Sequence, residues 1–568
     1  MRVTVPEVVY KLVERFDSYL DDYKNGRFSE AQLRVDFIDP LFGKALGWDI
    51  YNEKGRPEAY RDVVYEDRVK VGGGTKAPDY GFYIGDQRKF FLEAKKPSVD
   101  ISGDLAPAVQ LRRYAWSAKL PLSILTDFEE LAVYDCRFEP SKNDSPATAR
   151  LEYFSYEKYA DPECWKKIQE IFSRDAVLSG SLDTYAEEAK RKRGTQTVDD
   201  AFLREIDSWR DVLARNLALR NNLNQRQLNY AVQMLIDRII FLRMAEDRGV
   251  EDYGRLMTLK DQPNVYNGLC DLFRDADDRY NSGLFHFRRE RGRAEEPDGL
   301  TLGLKIDDKV LEGIIRGLYY PESPYEFSVL PVDVLGQVYE QFLGKVIRLT
   351  EGGHRAVIEE KPEVRKAGGV YYTPTYIVDY IVEQTVGKLL EGKRPGPRGG
   401  ASRLRIVDPA CGSGSFLIGA YRYLLDWHRD RYLEDDPDNW PRQLYQRPGG
   451  EWRLTIDEKK RILTNNIYGV DIDPQAVEVT KLSLLLKVLE GETDDTLESQ
   501  LRLFAERALP DLDDNIKCGN SLIGSDFYDN PKMLDLGDED QYRIITSSTG
   551  SRPSRRSSLE TNLASTLL

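Results

Sequence analysis

RLRIVDPACGSGSFL, Arg403 to Leu417, is the stretch whose reading decides the fold. Leu404, Ile406 and Val407 make a short apolar strand and Asp408 stands at its end. Gly412 and Gly414 form a tight Gly-Ser loop, and Phe416 and Leu417 begin an apolar helix. Strand, glycine turn and helix in that order mark an α/β domain, and such a loop brings bare backbone close to a ligand. A dinucleotide site needs a third glycine three residues after the second and an acid about 20 residues on. Here Leu417 takes the third glycine's place, and the next strand-end acid is Asp471 in IYGVDIDP. The spacing therefore speaks against a dinucleotide.

DPACGSGSF as a whole string resembles the S-adenosylmethionine loop of DNA methyltransferases. That resemblance implies a Rossmann-like domain in which Asp408 faces the methionine end and the loop through Ala410, Gly412 and Gly414 passes beside the cofactor. It further implies that Asp471 holds the ribose hydroxyls and Ile472 packs on the adenine. Just upstream, YYTP gives Tyr372, Thr373 and Pro374, which in the resemblance cover the methionine end. Thr373 or Thr375 is positioned to cap a helix beginning near Tyr376. Downstream, NIKCGNSL resembles the next element, with Asn520 near the adenine amino group. Cys518 reads as a small buried residue rather than a nucleophile.

The chain has 568 residues, enough for about three or four domains. At 41% hydrophobic and 31% charged residues it is an ordinary globular composition. No apolar run approaches the roughly 18 residues of a membrane helix, and MRVTVPEVVYKLVERF mixes charge into its apolar positions, so the expected location is cytoplasmic, with no membrane partner. Five cysteines without a CxxC and three histidines argue against a disulfide framework or a zinc cluster. Any metal should be held by oxygen. The net charge of −15 argues mildly against a general nucleic-acid binder but leaves room for a basic groove on an acidic body.

Near the N-terminus, SEAQLRVDFIDPLFGKALGWDI carries Ala31, Leu33, Phe37, Ile38, Leu41 and Leu46 at helical spacing, with Glu30 as a first-turn acid near the positive end of the helix dipole. KAPDYGFYIGDQRKFFLEAKKP then alternates as strands do, with Gly85-Asp86-Gln87-Arg88 as the turn. A hairpin centred between Asp86 and Gln87 pairs residues whose numbers sum to about 173, which sets Asp79 opposite Ala94. Glu93 and Lys95, two apart, project to one face. Two carboxylates and an ammonium thus meet at one sheet edge. Asp79 and Glu93 suit a hard cation such as Mg²⁺, and Lys95 is placed to position or help deprotonate an attacking water.

Pro78-Asp79 followed by Glu93-Ala94-Lys95 looks like the PD-(D/E)xK nuclease signature, and Gln110 with Tyr114 resembles the QxxxY element of restriction nucleases. LPLSILTDFEELAVYD reads as strand, turn, strand. From about Asp175 to Gly344 the chain is mostly helical. The clearest segments are QRQLNYAVQMLIDRIIFLRMAEDRG, stopped by Gly249, and PVDVLGQVYEQFLG. Arg238, Arg243, Glu246, Asp247 and Arg248 read as a solvated face or a structural ion network.

The order of motifs resembles the type IIG restriction-modification enzymes, which fuse a PD-(D/E)xK endonuclease to an adenine-N6 DNA methyltransferase. The resemblance implies an α/β multidomain chain: a nuclease-like α/β domain over residues 1–175, a helical connector over 176–345, and a Rossmann-like methyltransferase cofactor domain over 346–527. A Ser/Thr-rich tail, 528–568, reads as disordered. It also implies double-stranded DNA as partner and S-adenosylmethionine and Mg²⁺ as cofactors. The Asn-Pro-Pro-aromatic element that accepts the target amino group, and the target-recognition domain after it, do not appear in the sequence. The methyltransferase half therefore reads as incomplete, and methylation by this chain alone is not expected. The expectation is of a C-terminally truncated enzyme, a shortened reading frame, or a subunit that a second chain completes. The rival reading is a non-catalytic S-adenosylmethionine-binding subunit that acts with a partner.

Overall fold

The computed structural model of the chain describes residues 4–54, 61–65, 70–71, 74–75, 78–85, 87–188, 197–280, 283–289, 297–331, 334, 336, 338, 344–350, 355–361, 373–446, 452–492 and 508–521. Tyr372, most of PVDVLGQVYEQFLG and the tail 528–568 lie outside them. The architecture is mixed α/β and divides into two compact units. One is Met1–Ala201 with Arg316–Pro331, and the other is Phe202–Ile315 with Val332–Leu568.

The first unit is built on a six-stranded sheet in the order β1-β4-β5-β6-β7-β8. Its strands are β1 (Val63–Val64), β4 (Tyr80–Ile84), β5 (Gln87–Ala94), β6 (Leu122–Thr126), β7 (Glu130–Asp135) and β8 (Arg150–Ser155). A small separate hairpin, β2 (Lys70–Val71) and β3 (Gly74–Thr75), lies between the first two in sequence. Every neighbouring pair is antiparallel except β5 and β6. A parallel pair cannot be closed by a short turn, and here the Leu105–Ser117 helix makes the crossover.

Both faces of this sheet are covered. Phe90, Leu92 and Ala94 enter a core with Phe16, Phe37, Phe42 and Trp48, while Phe91 packs on the opposite face with Leu111 and Tyr114 of the crossover helix. Two-sided burial explains why KFFLEA is a nearly continuous apolar run. The hairpin register differs from the sequence expectation. Its paired numbers sum to 171 beside the turn and 172 beyond a bulge at Phe82/Tyr83, because the connection is shorter than four residues and Gln87 and Arg88 already belong to β5. Gly85, at φ +64, provides the left-handed backbone that so tight a connection requires.

Ahead of the sheet, Ser29 and Gln32 form a capping box on the short helix Glu30–Leu33. It runs on into two π-helical turns, Arg34–Ile38 and Leu41–Ala45. Leu33, Phe37, Ile38, Leu41 and Leu46 are buried as their spacing suggests, whereas Ala31 is exposed.

The second unit combines helices with a three-stranded parallel sheet in the order β11-β14-β15. These strands are β11 (Ile406–Asp408), β14 (Ile467–Asp471) and β15 (Ile516–Cys518); the unit also holds two hairpins, β9 (Lys345–Leu349) with β10 (Ala356–Glu360) and β12 (Leu444–Gln446) with β13 (Trp452–Leu454). The helix Gln225–Asp247 is capped by Asn224 and Gln227 and followed by Gly249 at φ +69. From Ala231 on it is buried all round, and so are the charges of Asp237, Arg238, Arg243, Glu246 and Asp247. Arg238 is fully buried against Asp298, Thr301 and the carbonyl of Leu284, and Arg243 pairs with Asp247 at 2.8 Å. Glu246 accepts from the backbone N–H groups of Gly254 and Leu256. This is the structural ion network of the two expectations. A solvated face is excluded for Arg238, Arg243, Glu246 and Asp247, which are all buried, and a charge without a partner at that depth would be too costly to keep. Among the described residues, no helix is long and apolar enough to cross a membrane.

Candidate functional site

Chemistry-bearing side chains gather in each unit. In the first, Asp79 stands just before β4, and Glu93 and Lys95 stand at the end of β5. Asp79 is 7% exposed; its Oδ2 accepts from the Ala94 N–H at 2.9 Å and its Oδ1 from Arg34 Nη1 at 3.0 Å. Glu93 is 3% exposed, and its Oε1 accepts from Lys95 Nζ at 2.5 Å and from Gln110 Nε2 at 2.9 Å. The Glu93 Oε2 is buried and has no hydrogen-bond partner. The β5–β6 crossover brings Gln110 to this point, while Tyr114, one turn later, packs into the core beneath it.

Electrostatics bind these groups into one cluster. Burial, then the neighbouring Asp79, pushes the Glu93 carboxyl up to about 7 even though Lys95 pulls it back, and Glu30 raises it further. Burial alone would lower the Lys95 ammonium, but Glu93, Glu30 and Asp79 outweigh that and hold it above its ordinary value. Lys95 is therefore a fixed cation in this geometry. Glu30 is the residue that sequence reasoning missed, since it was read as a helix-dipole acid. A first-turn acid on a helical run gives no sequence signal that it will face the end of a distant strand.

The donor set fits a hard divalent cation. A buried carboxylate oxygen that no hydrogen bond satisfies is what a cation would complete, and all the donors are oxygens. Among the described residues no three acidic, His or Cys side chains converge as a ready metal cage.

The raised Glu93 carboxyl has a measurable consequence for metal-free protein. An acid whose folded pKa lies above its unfolded value adds stability below the unfolded value, and that contribution is lost as pH rises through the folded one. Stability should fall between pH 4.5 and about 7. Glu93→Gln, which mimics the neutral form, should flatten that slope and raise stability at pH 8. Urea melts at pH 5 and pH 8 check this. An unchanged slope would mean that Glu93 is not strained by its surroundings.

In the second unit, β11 ends at Asp408, whose Oδ1 accepts from Ala410 N–H at 3.1 Å. Burial and then Asp471 raise the Asp408 carboxyl. Gly412 and Gly414 both take positive φ, and Gly414 is the N-cap of the helix Ser415–Glu434. A Cβ on Gly414 would lie 2.8 Å from Thr480 Cγ2, so only glycine lets the loop pass so close to the following helix, Pro474–Val488. Thr480 Oγ1 in turn donates to the Gly412 carbonyl at 2.9 Å.

Asp471, at the end of the adjacent parallel strand β14, accepts from Gly412 N–H at 2.8 Å and from Asp473 N–H at 2.9 Å. Ile472 beside it is 52% exposed, which is unusual for an isoleucine and leaves an apolar surface open next to a carboxylate. Gly519 donates to the Asp471 carbonyl, so Asn520 follows directly on the strand that flanks Asp471. Asp408, Ala410, Gly412, Gly414, Asp471, Ile472 and Asn520 thus meet along the ends of three parallel strands, where open α/β sheets bind ligands.

Thr373 and Pro374 precede the helix Thr375–Val382, whose N-cap is Pro374 with no side-chain capping bond. The helix starts one residue earlier than the spacing suggested, with Pro374 rather than a threonine at the N-cap position. Cys518 is half-buried, and its thiol is pushed up to about 11 by burial and then by Asp473 and Asp471, which suits it poorly for nucleophilic attack.

Against this geometry the sequence relatives are consistent. Residues 398–533 match the family model for the MmeI DNA-methyltransferase domain. Over 518 residues, 91% of this chain and 49% of that protein, the chain is 38% identical to the type II restriction enzyme and methyltransferase RM.Eco57I of Escherichia coli. Over 192 residues, 33% of this chain and 13% of that protein, it is 27% identical to the adenine-specific methyltransferase PglX of Streptomyces coelicolor. The type IIG restriction endonuclease BpuSI, a solved structure, aligns with 76% of this chain and 38% of its own at 15% identity and a TM-score of 0.25.

The chain is thus similar to proteins that join a restriction enzyme to a methyltransferase, and it spans about half the length of those it matches.

Proposed function

We propose that the chain is a DNA restriction-modification polypeptide in which a Mg²⁺-dependent PD-(D/E)xK endonuclease site is joined to the S-adenosylmethionine-binding part of an adenine-N6 DNA methyltransferase. The observation that carries the nuclease reading is the convergence of Asp79, Glu93, Lys95 and Gln110, with a buried Glu93 oxygen that lacks a partner. Bound by Asp79 and Glu93, a divalent cation supplies positive charge against the phosphodiester and so stabilises the charge that builds up during hydrolysis. Gln110 holds Glu93 in orientation. Lys95, within hydrogen-bond reach of Glu93, is placed to position the attacking water and to neutralise charge.

The cofactor reading rests on the sheet-end constellation. Asp471 and Ile472 offer a carboxylate for ribose hydroxyls beside an apolar surface for adenine, and Asp408 with Thr373 and Pro374 would face the methionine end. Tyr372 belongs to the same proposed segment. Double-stranded DNA is the proposed substrate, and a further segment or partner chain would supply target recognition and the acceptor-site element for methylation. Residues 1–175, 176–345 and 346–527 remain the proposed functional division into nuclease, helical and cofactor parts.

Lys95→Ala separates charge positioning from metal holding. It should lower Mg²⁺-dependent cleavage of a plasmid by at least about 100-fold, while Mn²⁺ binding measured by calorimetry persists. Cleavage at the wild-type rate would remove Lys95 from the site, and cleavage without added metal would overturn the reading as a whole.

A further inference from the structure

The carboxylate cluster of the first unit contains a cation that the nuclease signature does not account for. Arg34 lies one turn after Glu30 on the same helical run, and its guanidinium donates to Asp79 Oδ1 at 3.0 Å. Its side chain is 16% exposed, against 6% for that of Asp79. The guanidinium also lies over the Tyr80 ring, 5.9 Å from its centroid. Tyr80 is anchored in turn, since its hydroxyl donates to Asp39 Oδ1 at 2.8 Å, while Tyr51 and Tyr65 donate to the other oxygen of Asp39. The arginine is thus set between a fixed ring and a carboxylate whose second oxygen is tied to the Ala94 N–H.

A guanidinium and a divalent cation compete for the same carboxylate. Both are positive, and in a largely buried site their repulsion is weakly screened. If the cation takes Asp79, Arg34 must find another anion, because a buried guanidinium without a partner is strongly unfavourable. Hydrolysis of DNA brings such an anion to the same place, and the planar fork of arginine suits a phosphate oxygen pair.

We propose that Arg34 is an exchange residue: it holds Asp79 in the metal-free protein, yields that carboxylate to the divalent cation, and then pairs with the phosphodiester being cleaved. This rests on the nuclease reading of Asp79 and Glu93. Metal loading is then coupled to DNA, since each favours the state in which Arg34 has left Asp79.

The test uses the full chain and two readouts whose signs differ. Mn²⁺ alone is titrated by calorimetry into wild type, Arg34→Gln, Arg34→Lys and Asp79→Ala, and plasmid cleavage is timed in Mg²⁺. Arg34→Gln should bind Mn²⁺ about tenfold more tightly, because a competing charge is gone, yet cleave at least about tenfold more slowly. Arg34→Lys, which keeps the charge, should bind Mn²⁺ as wild type does and shows by its thermal melt that the position tolerates change. A merely structural arginine would lower both readouts together. Unchanged or weaker Mn²⁺ binding by Arg34→Gln, with Asp79→Ala abolishing it, overturns the exchange and leaves the metal site standing. Tighter binding with undiminished cleavage overturns the phosphate step. Wild-type Mn²⁺ binding by Asp79→Ala overturns the nuclease reading and the exchange with it.

Discussion

Asp79→Ala should abolish Mg²⁺-dependent DNA cleavage, by at least about 1,000-fold, while S-adenosylmethionine binding stays within about twofold of wild type. The size follows from the role proposed for the carboxylate. Removing a direct ligand of a charge-stabilising cation forfeits several kcal/mol in the transition state, and each 1.36 kcal/mol is about tenfold in rate. The same substitution leaves the Ala94 N–H without its acceptor, which by itself costs about 1–3 kcal/mol of stability. Asp79→Asn separates the two effects, since its amide oxygen can still accept from Ala94 but carries no charge. Both variants should be inactive, and Asp79→Asn should melt above Asp79→Ala but below wild type, because Arg34 loses its charged partner. An active Asp79→Asn would show that the carboxylate serves the fold and not the chemistry.

The second large effect belongs to Asp471. Its two oxygens accept from Gly412 N–H and Asp473 N–H, so it stitches the glycine loop to the start of the following helix. Each carboxylate oxygen can accept a second bond, and ribose hydroxyls are the proposed donors. Asp471→Ala loses the ligand bonds and loosens the loop together. With charge-assisted hydrogen bonds worth about 1.5–3 kcal/mol each, S-adenosylmethionine binding should weaken by about 100-fold or more. Calorimetry with the cofactor alone measures this. Binding within a few-fold of wild type would mean that the carboxylate only braces the loop.

The two sites were legible to different degrees, for physical reasons. DPACGSGSF and IYGVDIDP are local signals: strand, turn and helix follow from neighbouring residues, and glycine is demanded where Gly414 passes Thr480. That Asp79 meets the end of β5 was also readable, because a hairpin is a local structure, but the register past the bulge sums to 172 and sets Asp79 beside Glu93, and its link to Ala94 is a side-chain hydrogen bond. Glu30 and Arg34 were not readable as part of the carboxylate cluster. They lie more than forty residues before Asp79 in sequence, and nothing in a helical run marks which of its charges will face a distant strand. The buried charges of the Gln225–Asp247 helix were ambiguous for the same reason. Arg238 looks solvated until Asp298, sixty residues on, is seen to pair with it.

Equilibrium dialysis of Mn²⁺ and of S-adenosylmethionine against one preparation each of wild type, Asp79→Ala and Asp471→Ala tests most directly that one chain carries two distinct sites. Wild type should bind one cofactor molecule and Mn²⁺ as well; Asp79→Ala should lose only the metal and Asp471→Ala only the cofactor. If either substitution removed both ligands, or neither removed its own, the assignment of a metal-dependent nuclease site and a separate cofactor site to this chain would be contradicted.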